Sequence, residues 1–458
     1  MSGTPIGTAL THLAAEDPDR PALTCGGETL TRRALEENAN RFAWHLLDQD
    51  VTGHRVAVVL PNSTDLVVAL LGIWKAGATP VPLAPKMPDA ERQAVLDLAA
   101  PKLTVDALTL TSRTDPPPPL TSTPWKILAS GGSTGRPKLI ATTDAGLAET
   151  ATLLGLVAQM RQNGTSLITA PLSHNGPFML LTSALLLGNH TILMERFDAA
   201  HTLDLIQEHA IDWLYAVPTM MHRIHRLAPP PPATLQAVFH LGAPIAPWLK
   251  QAWIDWLGPE KIWELYAGTE AQASTLISGT EWLARRGSVG RPIKGEIEIR
   301  DTTGAPVPPN TPGQVWMRST TGPSYSYIGA DSDPAGWESL GDLGYMDPDG
   351  YLYLTDREAD MILVGGANVY PAEIEAALDE HPAVTSSAVI GLPHEDLGDV
   401  PHALVQLSAD TPDAALLTHL ESRLSPHKIP RTFERVTTPL RDDAGKIRRS
   451  SLRAARLP

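Results

Sequence analysis

An apolar run, Ile127-Leu-Ala, breaks into Ser130-Gly-Gly-Ser-Thr-Gly135, with Lys138 close behind. Those residue types in that order suit one task. Glycines turn the chain tightly and bare their N–H groups. Successive N–H groups make a nest for an anion, hydroxyls add donors, and a lysine adds a point charge. Ser130, Gly131, Gly132, Ser133, Thr134, Gly135 and Lys138 therefore read as a cradle for a polyphosphate. No Gly-Lys-Ser/Thr closes the loop, so it is not the Walker A form. A flexible Ser/Gly linker is the plainer alternative, but linkers rarely follow a buried strand directly.

Four further segments place polar side chains beside turns. They are Pro171-Leu-Ser-His174, Tyr266-Ala-Gly-Thr-Glu270, Gly341-Asp342 with Asp356-Arg357, and Gly445-Lys446. In this order, and with the loop before Lys138, they resemble the adenylate-forming enzymes: acyl-CoA synthetases, peptide-synthetase adenylation domains and luciferases. The resemblance spans nearly the whole chain. It implies that ATP activates a carboxylic acid as an acyl-adenylate, releasing pyrophosphate, and that the CoA thiol then takes the acyl group. Such an enzyme must hold the triphosphate, neutralise charge and align the carboxylate with the α-phosphate.

The resemblance distributes roles over this sequence. Thr134 is matched to a direct hydroxyl contact with phosphate, and Thr269 to the α-phosphate. A carboxylate beside phosphate is repulsive unless a cation intervenes, so Glu270 reads as a Mg²⁺ ligand. Tyr266 is expected near adenine, and Gly242, Ala243 and Pro244 are matched to a segment lining the adenine and acyl pockets. Asp342 is assigned the ribose hydroxyls, and Arg357 a ribose or phosphate contact. Lys446 is matched to the lysine that enters for adenylation and leaves when the small domain rotates. His174 is expected beside the carboxylate site. The acyl pocket is then framed by Ser173, His174, Asn175, Gly176, Gly242, Ala267 and Gly268. Gly365, Gly366, Ala367 and Asn368 fall in the loop matched to thioester formation and the pantetheine tunnel. Without the resemblance, residues 441–449 read as a basic solvated tail, and Glu270 as a solvated turn carboxylate.

Ser173-His-Asn-Gly-Pro177 lacks the aspartate with which peptide-synthetase domains hold an amine, which favours a non-amino acid and CoA as acceptor. Pro171 to Phe178, Leu193 to Phe197, Met220 to Arg223 and Tyr370-Pro371 look most like the bile-acid and polycyclic-acid CoA ligases. A bulky alicyclic or terpenoid acid is the expected substrate. Five positions depart from the common pattern: Leu139, Ala267, Ser173, Leu340 and Ala359. Bulk at Leu139 and Ala267 would impair adenylation first. A protein that only transfers a preformed adenylate, supplied by a partner enzyme, and a degenerate adenylate binder therefore stand as alternatives.

The elements that must position these groups follow from pattern. Residues 1–115 and 126–300 alternate helices and apolar strands, as helix-covered parallel sheets do. Arg55 to Leu60 reads as a strand and Asp65 to Lys75 as a helix that Gly77 ends. Residues 286–355 turn to short β-prone runs with Gly and Pro, suggesting a small β-barrel or sandwich. The last hundred residues read as a separate α+β domain. The fold expected is α/β: a large N-terminal domain, 1–357, of two helix-covered parallel sheets plus the small barrel, and a small mobile α+β C-terminal domain, 358–458, hinged near 357–360. The formal charge of −15 argues against nucleic acid or an anionic membrane as main partner. A single cysteine, Cys25, excludes an internal disulfide framework. With no signal-peptide pattern or long apolar run, a cytoplasmic enzyme is expected; a homodimer is compatible with this reading.

Overall fold

The computed structural model describes residues 3–130, 138–331, 336–364, 367–394, 397–443 and 445–457. Strands Pro21–Cys25, His190–Leu193, Thr165–Ile168, Trp213–Tyr215, Ala237–His240 and Ile262–Ala267 lie side by side and parallel. The intervening helices bury one face each against this sheet, as crossovers between parallel strands must. Phe178, Leu180, Leu181 and Leu185 of helix Asn175–Leu186 and Trp253 of helix Pro247–Leu257 join its core. The second parallel sheet is small: Arg55–Val58 between Thr79–Pro82 and Leu103–Val105. Helix Thr64–Lys75 follows its central strand. It is capped by Ser63, whose hydroxyl accepts from the Leu66 N–H, and is followed by Gly77 at φ +68°.

The strands flanking the phosphate-loop segment correct the expectation of parallel sheets throughout 126–300. Ile127–Ser130 and Lys138–Thr142 pair antiparallel, and Tyr325–Ile328 adds to them, also antiparallel. The segment 286–355 continues the main sheet as an antiparallel run: Ser274–Ser278, Ser288–Lys294, Leu352–Arg357, Glu338–Met346, Gly313–Arg318 and Glu296–Arg300. It encloses its own core of Val289, Ile297, Ile299, Val315, Met317 and Leu352. The C-terminal α+β domain has a five-stranded sheet whose two longest strands, Val384–His394 at its edge and Gly398–Leu407, pair antiparallel. Helices Pro371–Asp379 and Asp413–Glu421 contribute Ile374, Leu378, Leu416 and Leu420 to its core. Among the described residues, no helix is long and apolar enough to cross a membrane.

One buried ion pair ties the first three helices together. The Lys75 ammonium donates to Glu36 Oε1 at 2.8 Å, Gly7 O at 3.0 Å and Thr11 Oγ1 at 3.0 Å, which uses all three of its protons. Burial pulls the Lys75 pKa down, and Glu36 opposes that. Removing one partner strands the other charge in the core. Glu36→Ala is therefore expected to cost about 3–5 kcal/mol in urea unfolding, and joint replacement by Lys75→Met and Glu36→Leu much less.

Candidate functional site

Three of the sequence-predicted segments meet because of where they leave the main sheet. Ser173–Gly176 follows strand Thr165–Ile168, Gly242 follows Ala237–His240, and Gly268–Glu270 follows Ile262–Ala267. All three lie beyond the carboxyl ends of parallel strands, where the loops of an open α/β sheet leave a crevice. There a cleft of about 2060 Å³ opens between the main sheet and the C-terminal domain. Lys138, Ser173, His174, Asn175, Gly176, Gly242, Ala267, Gly268, Thr269, Glu270, Arg357 and Lys446 all line it.

On the wall nearest the phosphate-loop strands, Glu270 is buried and accepts a 2.6 Å hydrogen bond at Oε1 from the Tyr327 hydroxyl. Lys138 Nζ lies 3.6 Å from the same oxygen and 3.9 Å from the centre of the Tyr327 ring. Burial and the Glu270 carboxylate push the Tyr327 hydroxyl pKa up, so it donates and does not ionise. Tyr327 was not singled out from sequence. Its signal is the alternation Tyr325-Ser-Tyr327, which puts both rings on one face of a strand next to Lys138–Thr142. No cluster of three metal-ligating side chains occurs among the described residues. The donor set thus fits Mg²⁺ held by one carboxylate together with phosphate and water, not an all-protein cage. The expected contacts of Gly131, Gly132, Ser133, Thr134 and Gly135 lie outside the described residues, as does the Ser130 side chain.

Asp342 sits behind this wall, with both oxygens engaged. Oδ2 accepts from the Tyr266 hydroxyl at 2.6 Å, and Oδ1 from Arg357 Nε at 3.0 Å. The pairing follows from register, since Asp342 and Arg357 are directly opposite on antiparallel strands. Burial first, then Asp342, drive the Tyr266 pKa up. Tyr266 packs into the antiparallel core and, with Asp342, stands outside the residues lining the cleft; Arg357 does line it. Ala243 and Pro244 also fall outside that lining, whereas Gly242, at φ +93°, faces it.

Lys446 enters from the opposite side. Its turn closes locally: Asp442 Oδ1 accepts from the Lys446 N–H at 2.9 Å, and the Gly445 N–H donates to Asp442 O at 2.8 Å. Gly445, at φ +78°, lies so close to the large domain that a Cβ there would meet Thr219 Oγ1 at 2.7 Å. That contact seats the turn on the segment after strand Trp213–Tyr215. Trp248 Nε1 donating to Ala376 O at 3.2 Å and the Arg448–Glu91 pair at 3.4 Å add to the docking. Although Lys446 is open to the cleft, the surrounding protein and then Arg357 lower its pKa, with Asp442 and Glu270 opposing. His174, preceding helix Asn175–Leu186, is held below its ordinary pKa by burial and then by Lys446. Of the thioester-loop candidates, Ala367 and Asn368 lie on strand Ala367–Val369 away from the cleft lining, and Gly365 and Gly366 are outside the described residues.

Of the five departures from the common pattern, four line the cleft and Leu139 does not. Leu139 is fully buried in a core with Val81, Leu83 and Ile127 and does not reach the cleft. Leu340 packs on Gly268, where an added Cβ would meet its Cδ1. Leu340 lines the cleft too, together with Ser173, Ala267 and Ala359. Sequence reading also missed Lys126, a lysine inside the apolar run Trp125 to Ala129 whose buried side chain reaches the same cleft.

A family model described as "AMP-binding enzyme" matches residues 10–121 and 111–324, and one described as "AMP-binding enzyme C-terminal domain" matches 373–446. A 2-succinylbenzoate–CoA ligase of Bacillus velezensis is 28% identical over 96% of this chain and 96% of its own. A feruloyl-CoA synthase of an Amycolatopsis species is 29% identical over 99% of both. The o-succinylbenzoate CoA synthetase of Bacillus subtilis, solved with its acyl-adenylate, superposes with a TM-score of 0.84 at 25% identity, covering 99% of this chain and 98% of that one. The same synthetase has been solved with ATP and magnesium, at a TM-score of 0.80. These relatives are named for aromatic acids, not for the bile or terpenoid acids expected from the sequence resemblance. With its loops gathered at one crevice and both family models matched in order, the chain belongs to the AMP-binding enzyme family.

Proposed function

We propose that this protein joins a bulky, ring-bearing carboxylic acid to CoA, carrying out both adenylation and thioester formation itself. The chain is an AMP-forming acid–thiol ligase, with ATP, Mg²⁺ and CoA as its partners in the reaction. One observation supports the complete reaction above the others. Lys446 faces into the same cleft as Lys138, Glu270 and Arg357, so a cation from each domain converges where the triphosphate and carboxylate would meet. Leu139, buried away from the cleft, removes one reason to expect an impaired adenylation step.

In this reading Lys138 and the loop before it hold the phosphates, and Glu270 holds Mg²⁺, which neutralises phosphate charge. Asp342 is pre-set by Tyr266 and Arg357 for the ribose hydroxyls. His174, kept neutral at physiological pH, lies beside the carboxylate without adding positive charge to that of Lys446. The small domain turns about a hinge near 357–360 between the two steps, withdrawing Lys446 and bringing residues 365–368 towards the thiol. The single, buried Cys25 and the lack of a membrane-crossing helix among the described residues support the cytosol as its compartment.

The acid class is tested by ranking kcat/KM for acyl-CoA formation over aromatic, alicyclic, terpenoid and straight-chain acids. Ring-bearing acids are expected to lead straight-chain ones by at least about 10-fold, the scale on which pocket fit discriminates. A straight-chain fatty acid as best substrate would overturn the ring-bearing assignment. Within the ring-bearing group, the order of alicyclic or terpenoid against aromatic acids decides between the sequence resemblance and the named relatives.

A further inference from the structure

Lys126 lies at the foot of strand Ile127–Ser130, with 3% of its surface exposed, yet it lines the cleft. Its Nζ donates to Asn175 Oδ1 at 2.8 Å. No carboxylate lies within ion-pair distance among the described residues; apart from the Trp125 ring, whose centre is 5.6 Å from Nζ, Asn175 is the one partner, which leaves donor capacity to spare. Leu128, Leu154, Met179 and Tyr215 line the same cleft. Tyr215 is 2% exposed, and its hydroxyl makes no hydrogen bond among the described residues, lying about 3.4 Å from where a Cβ on Gly176 would sit. A buried ammonium is costly without a partner of opposite charge. An ammonium and a phenol that line one cleft with spare donors are groups that recognise an acceptor on a ligand.

Resting on the acyl-CoA ligase reading, we propose that Lys126, with help from the Tyr215 hydroxyl near Gly176, binds a second anionic group on the acid, a carboxylate distant from the one that is activated, and so selects dicarboxylic ring-bearing substrates. Register sets Lys126 apart from the phosphate side: Ser130 pairs with Lys138, and Lys126 precedes Ile127 at the other end of that strand. In this proposal Glu270, Lys446 and Lys138 serve the reacting end and Lys126 the far one. Asp144, after strand Lys138–Thr142, and Glu270 favour the charged form of Lys126, while Lys294 opposes it. Burial outweighs them and brings the amine pKa down to about 7. The free site is therefore cationic below about 7 and neutral above it, and a bound anion holds the proton on.

The test uses a matched pair: 2-succinylbenzoate, and 4-oxo-4-phenylbutanoate, which lacks the ring carboxylate. Kd for each is measured by calorimetry on the full chain at pH 6.5, alongside pyrophosphate release. The wild type is expected to favour the diacid by about 100-fold, and Lys126→Met to bring that ratio within about 3-fold. Lys126→Arg, which keeps the cation, should restore much of the preference. Within the wild type the ratio should fall as pH rises from 6.5 to 9, a reading that needs no variant to fold. Lys446, whose pKa is also lowered, lies at the reacting end common to both acids, so its contribution cancels in the ratio, and His174, held below its ordinary pKa, is already neutral over this range. A wild-type ratio near one, no binding of the diacid, or a ratio untouched by Lys126→Met would overturn the proposal. Diacid binding without pyrophosphate release would leave the Lys126 result standing and count against the ligase reading instead.

Discussion

Lys446→Ala is expected to lower acid-dependent pyrophosphate release by about 10²–10³-fold, the usual loss when one pre-placed group facing a developing charge is removed. Transfer from a synthetic acyl-adenylate to CoA should stay within a few-fold of wild type. The asymmetry comes from position. Lys446 is held by the Asp442 turn, which is seated on Thr219 through Gly445, and that seating exists only while the small domain presents this face. Its side chain is open to the cleft and supports no core packing, so folding should be unaffected. Its lowered pKa means that activity carried by the ammonium is full at lower pH and fades as pH rises through that depressed value. Equal loss in both half-reactions would remove the assignment of Lys446 to the first of them.

Glu270→Gln should reduce kcat for adenylation by a similar factor, about 10²–10³-fold, and raise the Mg²⁺ concentration needed for half-maximal rate by about 10-fold or more. The substitution keeps the size of the side chain and an oxygen for the Tyr327 hydroxyl, and removes the charge that compensates Lys138. Tyr327→Phe, which leaves the charge and removes the hydrogen bond, should cost only about 10-fold, in line with one lost bond to a charged group. Titrating Mg²⁺ against rate for the three proteins separates these effects. An unchanged Mg²⁺ requirement in Glu270→Gln would place the metal elsewhere.

Local signals carried much of this architecture. Helix Thr64–Lys75 was readable because its boundaries are chemical: a serine cap before it, and after it a glycine in the left-handed region. Helix Pro371–Asp379 was readable because proline opens it and Glu373 sits in its first turn. Strands Gly313–Arg318 and Glu296–Arg300 also lay where composition placed them. The partner of Ile127–Ser130 was harder. Lys138–Thr142 is close in sequence, but the third strand, Tyr325–Ile328, arrives from nearly two hundred residues away, and pairing over that distance leaves no periodicity to read. That distance also hid Tyr327, while Lys126 was hidden by the 49 residues that separate it from Asn175. A lysine beside an apolar strand reads as a snorkelling end residue until tertiary packing buries it against Asn175. Tyr266 shows the converse. Its motif was conspicuous, but the ring packs inwards and its hydroxyl steadies Asp342, so it supports the expected ribose carboxylate from behind.

The central claim, that one chain performs both steps, is tested most directly by measuring the half-reactions separately over the panel of ring-bearing acids. Acid-dependent pyrophosphate release from ATP reports the first, and acyl-CoA formation from synthetic acyl-adenylates the second. Both are expected to proceed, with the same acid preferred in each. Transfer to CoA without pyrophosphate release would contradict the account and make the protein the thioesterifying half of a two-enzyme system. Silence in both, with nucleotide still bound, would reduce it to an adenylate-binding protein.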